Sequence, residues 1–135
     1  MDLVDALHIS ASGMKTQGSR LRVIAENMAN ADSLGKTPGA DPYRRQVLTY
    51  KNALARTLGV ETVSVDRIVR DPADFELEYD PAHPAADEKG YVKLPNVNTL
   101  IELADMREAQ RSYEANLKVI EASRTMLTRT IDILR

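Results

Sequence analysis

The sequence predicts a mainly α protein: long N- and C-terminal helices forming a coiled-coil-like pair, with a small irregular β-rich middle region. Two repeats and one contrast carry this. Leu7, Met14, Leu21 and Met28 recur every seven residues near one end, with Leu3, Ile24 and Ala31 on an adjoining row. Met106, Tyr113, Ile120, Leu127 and Leu134 do the same near the other, beside Leu103, Leu117 and Ile131. The residues between carry prolines, glycines and short alternating runs instead. A repeat of seven places one stripe along a slightly underwound helix, the seam that a coiled coil buries. The chain divides accordingly into a first helix (1–35), a loop with a small β-rich region (36–95) and a last helix (96–135), together one structural unit.

The first helix is expected from Leu3 to about Ala31, with Asp2 as its N-cap, because a carboxylate accepts from the free N–H groups of the first turn. Gly13 and Gly18 interrupt it, and Ser10, Ser12, Thr16 and Ser19 crowd the same turns. Each glycine costs about 1 kcal/mol relative to Ala, so this helix needs a partner. Two readings stand: a close helix contact or kink, or a segment ordered only on assembly. The helix should end between Asn30 and Gly35, where Asn, Asp, Ser and Gly cluster. Lys36–Pro42 is a loop, and Tyr43–Tyr50 a short strand. Residues 51–58 fit either a loop or a helical turn. Thr62–Val65 alternates as a strand should and extends toward Val69. Phe75–Tyr79 alternates most cleanly, placing Phe75, Leu77 and Tyr79 on one face and charge on the other. Asp80–Pro84 is a turn and Gly90–Pro95 a short extended piece. The second helix runs from about Asn98 to Leu134, capped by Asn96 or Asn98, with Glu102 and Asp105 suiting its positive end. Glu114 and Lys118 form a favourable i, i+4 pair. At 1.5 Å per residue it spans about 55 Å, more than the middle region covers, so part of its stripe must meet another chain.

The chain has 135 residues, the size of one ordinary domain, and a net charge of −2 that offers nucleic acid no basic field. With one Phe and no Trp, the core must be aliphatic, which suits helix packing better than a deep ligand pocket. The absence of Cys excludes disulfides and thiolate chemistry. No apolar run reaches membrane-spanning length. The acidic start Met1-Asp2-Leu3-Val4-Asp5 lacks the pattern of an ordinary cleaved signal peptide.

Chemistry is thin. Asp80, His83 and Asp87 can be drawn as a metal site, but a proline-fixed turn with solvated polar groups is the plainer reading, since zinc needs three or four convergent ligands. No metal or cofactor is expected. His8, beside Leu7, reads as a flank or interface residue. No Gly-x-Ser-x-Gly elbow or phosphate-cradling loop occurs, so no catalytic residue is assigned. Arg44-Arg45 reads as a solvated strand end. Met14, Met28, Met106 and Met126 read as packing residues.

Several motifs carry a resemblance. Ser12-Gly13-Met14, then Arg20–Ala31 with its Asn27-Met28-Ala29-Asn30 core, resembles the N-terminal signature of the bacterial flagellar rod and hook family, although Asp32-Ser33 replaces the usual Thr. Asp80-Pro81-Ala82-His83-Pro84 and Gly90-Tyr91…Pro95-Asn96-Val97-Asn98 resemble that family's proximal rod subunits. Tyr113-Glu114-Ala115-Asn116 continues the pattern into the last helix. The resemblance implies a structural subunit and no enzyme. It implies export by the flagellar type III apparatus without signal cleavage, and assembly across the periplasm into a torque-transmitting tube, with the terminal helices as its inner wall. The implied partners are further copies and rod proteins of the FlgB, FlgF, FliE and FlgG types. The assembly interface expected from the seams is Leu7, Met14, Leu21, Ile24, Met28, Met106, Tyr113, Leu117, Ile120, Leu127, Ile131 and Leu134. Two alternatives stand: another subunit of the same axial family, or a cytoplasmic helical binding module.

Overall fold

The computed structural model describes residues 3–55 and 59–135. Helix α1 (Leu3–Ala29) is followed by strands β1 (Gln46–Ala55), β2 (Val60–Arg70), β3 (Glu76–Tyr79) and β4 (Tyr91–Leu94), and by helix α2 (Thr99–Ile133). The strands pair as two separate two-stranded sheets, β1–β2 and β3–β4. The N-cap expected at Asp2 lies outside the described residues. Of the ambiguous stretch 51–58, residues 51–55 belong to β1 and the rest lie outside. The chain forms two compact units: Met1–Leu21 with Leu48–Arg67 and Arg107–Arg135, and Arg22–Val47 with Ile68–Met106.

In the first unit α1 and α2 run antiparallel. Gly13 lies against Asn116, and Arg20 Nη2 reaches Glu108 Oε2 at 3.5 Å. A Cβ at Gly13 would sit 2.8 Å from Asn116 Nδ2, so this glycine serves a close helix contact. Among the described residues, Gly18 has nothing within 4 Å of such a Cβ. The most buried helix positions here are Ser10, Thr16, Ala109 and Ser123. Small side chains let two backbones approach closely, so the large seam residues fall to the edges of the contact. The Thr16 hydroxyl is shared between the carbonyls of Ser12 (2.8 Å) and Val63 (3.3 Å), tying α1 to β2. Thr62 Oγ1 donates to the Ala53 carbonyl across the hairpin at 2.8 Å.

The second unit has its apolar centre at Val23, Ile24, Ala85 and Val92. Strands β3 and β4 pair antiparallel with Tyr79 opposite Tyr91 and Glu76 opposite Leu94. Sequence alternation places Phe75, Leu77 and Tyr79 on one face. Phe75 is half-buried, but Leu77 and Tyr79 are 61% and 65% exposed. The buried residue of the ribbon is Val92, whose side chain points to the opposite face. The connecting turn is fixed by Gly90, at φ 85°, where a Cβ would lie 2.9 Å from Tyr79 Cε2. Asn98 caps α2, its Oδ1 accepting from the N–H groups of Leu100 (3.0 Å) and Ile101 (3.3 Å).

Candidate assembly surface

Arg45 and Glu102 form the polar centre of the second unit. Glu102 is 0% exposed, and its Oε1 accepts from Arg45 Nε. Its Oε2 accepts from Asn27 Nδ2 at 3.2 Å. Arg45 also reaches Asp71 at 3.3 Å and Asp105 at 3.6 Å. Burial works against the charge on Arg45, but its bonds to Glu102 and Asp71 outweigh this and raise its pKa. Asp71 is held below the usual carboxylate range first by the Ala73 N–H, against burial, and then by Arg45.

Asn27, 1% exposed, uses its whole amide. Nδ2 donates to the Gln46 carbonyl (2.9 Å) as well as to Glu102, and Oδ1 accepts from the Gln46 N–H (2.9 Å) and the Tyr43 hydroxyl (3.0 Å). A side chain here completes the pairing of a strand residue as a neighbouring strand would. Burial, followed by the charges of Glu26 and Glu102, raises the pKa of Tyr43. Asn96 accepts the Arg45 N–H at 2.7 Å and donates to the Ala73 carbonyl at 3.1 Å. These groups satisfy one another, so the chemistry of the node is cohesion.

The Arg44-Arg45 doublet is therefore no solvated strand end. Successive residues of extended backbone point to opposite sides. Arg45 turns to Glu102, while Arg44 lies 4.1 Å over the Phe75 ring and donates to the carbonyls of Asp71 and Ala73 at 2.9 Å each. Sequence reasoning missed this pair. A signal existed in the row Glu102, Ala109, Asn116, Ser123, seven apart and otherwise small or uncharged. A lone acid in such a row is a candidate buried charge.

Of the expected interface residues, Ile24 is buried. Leu7, Met14, Leu21, Met28, Met106, Tyr113, Ile120 and Leu127 are half-buried. Leu117, Ile131 and Leu134 are exposed, the last by 82%. Val119, Met126 and Ile133, a further row seven apart, are exposed as well. Large apolar side chains thus stand in water along the end of α2. Single exposed apolar residues need no explanation, but rows of them mark contact surfaces.

The motif residues hold local geometry. Asn30 closes the end of α1, donating to the Glu26 carbonyl at 2.8 Å and accepting from Ser33. Asp80 Oδ1, His83 Nδ1 and Asp87 Oδ1 accept backbone N–H groups of Ala82, Ala85 and Tyr91. The Tyr91 bond is the first cause of the lowered Asp87 pKa. Among the described residues no group of His, Cys, Asp and Glu is placed to hold a metal, and no helix is long and apolar enough to cross a membrane.

A family model described as the C-terminal part of the flagellar basal body rod FlgEFG proteins matches residues 88–133. A flagellar basal-body rod protein FlgC of Agrobacterium fabrum is 55% identical over 130 residues, covering 96% of this chain and 94% of the relative. The chain belongs to the FlgC family of flagellar basal-body rod proteins. FlgC of Aquifex aeolicus is 42% identical over 98% of this chain and 97% of its own, and FlgC of Yersinia enterocolitica 38% over 98% of each. As a FlgC-family member the chain is a structural subunit of the basal-body rod, and not an enzyme.

Proposed function

We propose that the chain polymerises through its terminal helices, paired in the manner of a coiled coil, into the helical tube of the proximal rod. The segments 1–35 and 96–135 form the tube wall, and residues 36–95 a small outer part. The tube crosses the periplasm and transmits torque from motor to hook. The chain reaches it unfolded through the flagellar type III apparatus, without loss of a signal peptide. Its neighbours are further copies and rod proteins of the FlgB, FlgF, FliE and FlgG types.

The observation that carries this reading is the exposed apolar end of α2, with Ile131, Ile133 and Leu134 at 60%, 84% and 82% exposure. Fully burying each such side chain contributes about 1.5–3 kcal/mol, enough to drive association when many rows are covered together. Contacts between unlike surfaces that do not close on themselves yield a filament. The seam residues are the proposed interface. Deleting the gene should give non-motile cells without rod or hook, and the intact chain should restore both. Deleted cells that still swim with complete basal bodies would refute the role.

A further inference from the structure

The second unit carries a cleft of about 180 Å³ beside its polar node. Two arginines, Arg44 and Arg70, stand in its wall with Gln46, Pro42 and Phe75. Arg44 is fixed in place by the Phe75 ring at 4.1 Å and by the carbonyls of Asp71 and Ala73 at 2.9 Å each. All three partners are uncharged, so its position is set while its charge is not matched by contact. The Arg70 side chain is exposed and makes no hydrogen bond or ion pair among the described residues. The Gln46 amide side chain has no partner among them either, since both of that residue's bonds to Asn27 use the backbone. The acids nearby are mostly committed. Asp41, the one acid in the wall, pairs with Lys93 at 2.9 Å. Asp71 accepts the Ala73 N–H at 2.9 Å and pairs with Arg45 at 3.3 Å. Glu26, whose charge acts on Tyr43 as that of Arg70 does, makes no ion pair with Arg70. Asp74 shares an adjoining groove with Arg44 without an ion pair.

Size narrows the occupant. Sites for cofactors span about 300–1,000 Å³, whereas this cleft holds the volume of about six water molecules. That is room for one side chain. A guanidinium matches a carboxylate through two parallel N–H bonds, and Phe75 and Pro42 offer apolar surface to the methylene stem that carries it. A donor already fixed in place loses little freedom on binding. We propose that this cleft receives a carboxylate side chain, an Asp or Glu of a neighbouring rod subunit, with Arg70 as its ion-pair partner and Arg44 as the fixed second cation. The inference rests on the polymerisation reading above and adds to its apolar rows a charged contact that sets register.

Charge reversal in the full chain, expressed in cells lacking the gene, tests this. Arg70→Glu should reduce swimming at least about tenfold, because like charges then meet. The isolated Arg70→Glu chain should unfold in urea within about 0.3 M of the parent, since no bond of that side chain is lost. Parent-like swimming overturns the contact. So does a larger fall in the midpoint, which would place Arg70 in the fold instead. Arg70→Lys keeps the charge and should still build rods. On basal bodies isolated from that strain, a carbodiimide activates carboxylates, and the amine at position 70 displaces the urea to form an amide. Mass spectrometry should find position 70 joined to an Asp or Glu of another subunit. No amide there, or one to Glu26 or Asp41 alone, overturns the contact. Glutarate distinguishes a free acid from a side chain: calorimetry of the isolated chain should show no saturable binding below about 1 mM. Binding that Arg70→Glu abolishes would assign the cleft to a small free carboxylate and overturn the subunit contact. Complete rods in the deletion strain would instead sink the polymerisation reading itself.

Discussion

Replacing Glu102 by Ala should destabilise the isolated chain by about 3–4 kcal/mol. The carboxylate is fully buried and bonded at both oxygens, to Arg45 Nε and to Asn27 Nδ2. Removing one partner of a buried ion pair costs about 3–5 kcal/mol. Arg45 softens this, because it is 22% exposed and keeps Asp71 at 3.3 Å and Asp105 at 3.6 Å. The Asn27 N–H that loses its acceptor adds back about 1–3 kcal/mol. With a urea slope of about 2 kcal/mol per M, the midpoint should fall by about 1.5–2 M. Far-UV circular dichroism in urea reads it directly. Glu102→Gln keeps the shape and one acceptor and should lose roughly half as much. A shift below about 0.5 M for Glu102→Ala would refute the reasoning, and Arg45 would then be held by Asp71 and Asp105 alone.

Asn98→Ala removes the acceptor of the Leu100 and Ile101 N–H groups. It should cost about 1 kcal/mol and lower the melting temperature by about 3–5 °C. Gly90→Ala forces a side chain into φ 85° against Tyr79 and should cost about 1–3 kcal/mol in urea unfolding. Acidification tests Asp71. Its folded pKa is depressed by the Ala73 N–H and by Arg45, so its contribution is complete above the unfolded value of about 3.9. That contribution is lost as the pH falls through the lower folded value. Between about pH 5 and pH 2, Asp71→Asn should lose less stability than the parent.

The helices were legible because seven-residue rows survive any uncertainty in the ends, and α2 starts where its Asn98 cap stands. Burial was less legible. Period arguments weigh large apolar residues, whereas α1 meets Asn116 of α2 at Gly13, where smallness decides. Strand β1 starts at Gln46 and not Tyr43, because Tyr43 and Arg45 commit their side chains to Asn27 and Glu102. It continues to Ala55 because Thr62 and its neighbours on β2 supply partners across the hairpin. The Phe75–Tyr79 alternation identified a strand but not its covered side, since a two-stranded ribbon needs to cover only one. The Arg45–Glu102 pair joins positions 57 residues apart, a distance that no local pattern spans.

That separation bears on the order in which contacts form. Asn27 meets Tyr43 and Gln46 within 19 positions, whereas Glu102 lies 75 positions from it. Closing so long a loop is entropically costly until both ends are present. The latch between Asn27 and Glu102 therefore closes last, clasping a segment whose shorter contacts are already in place.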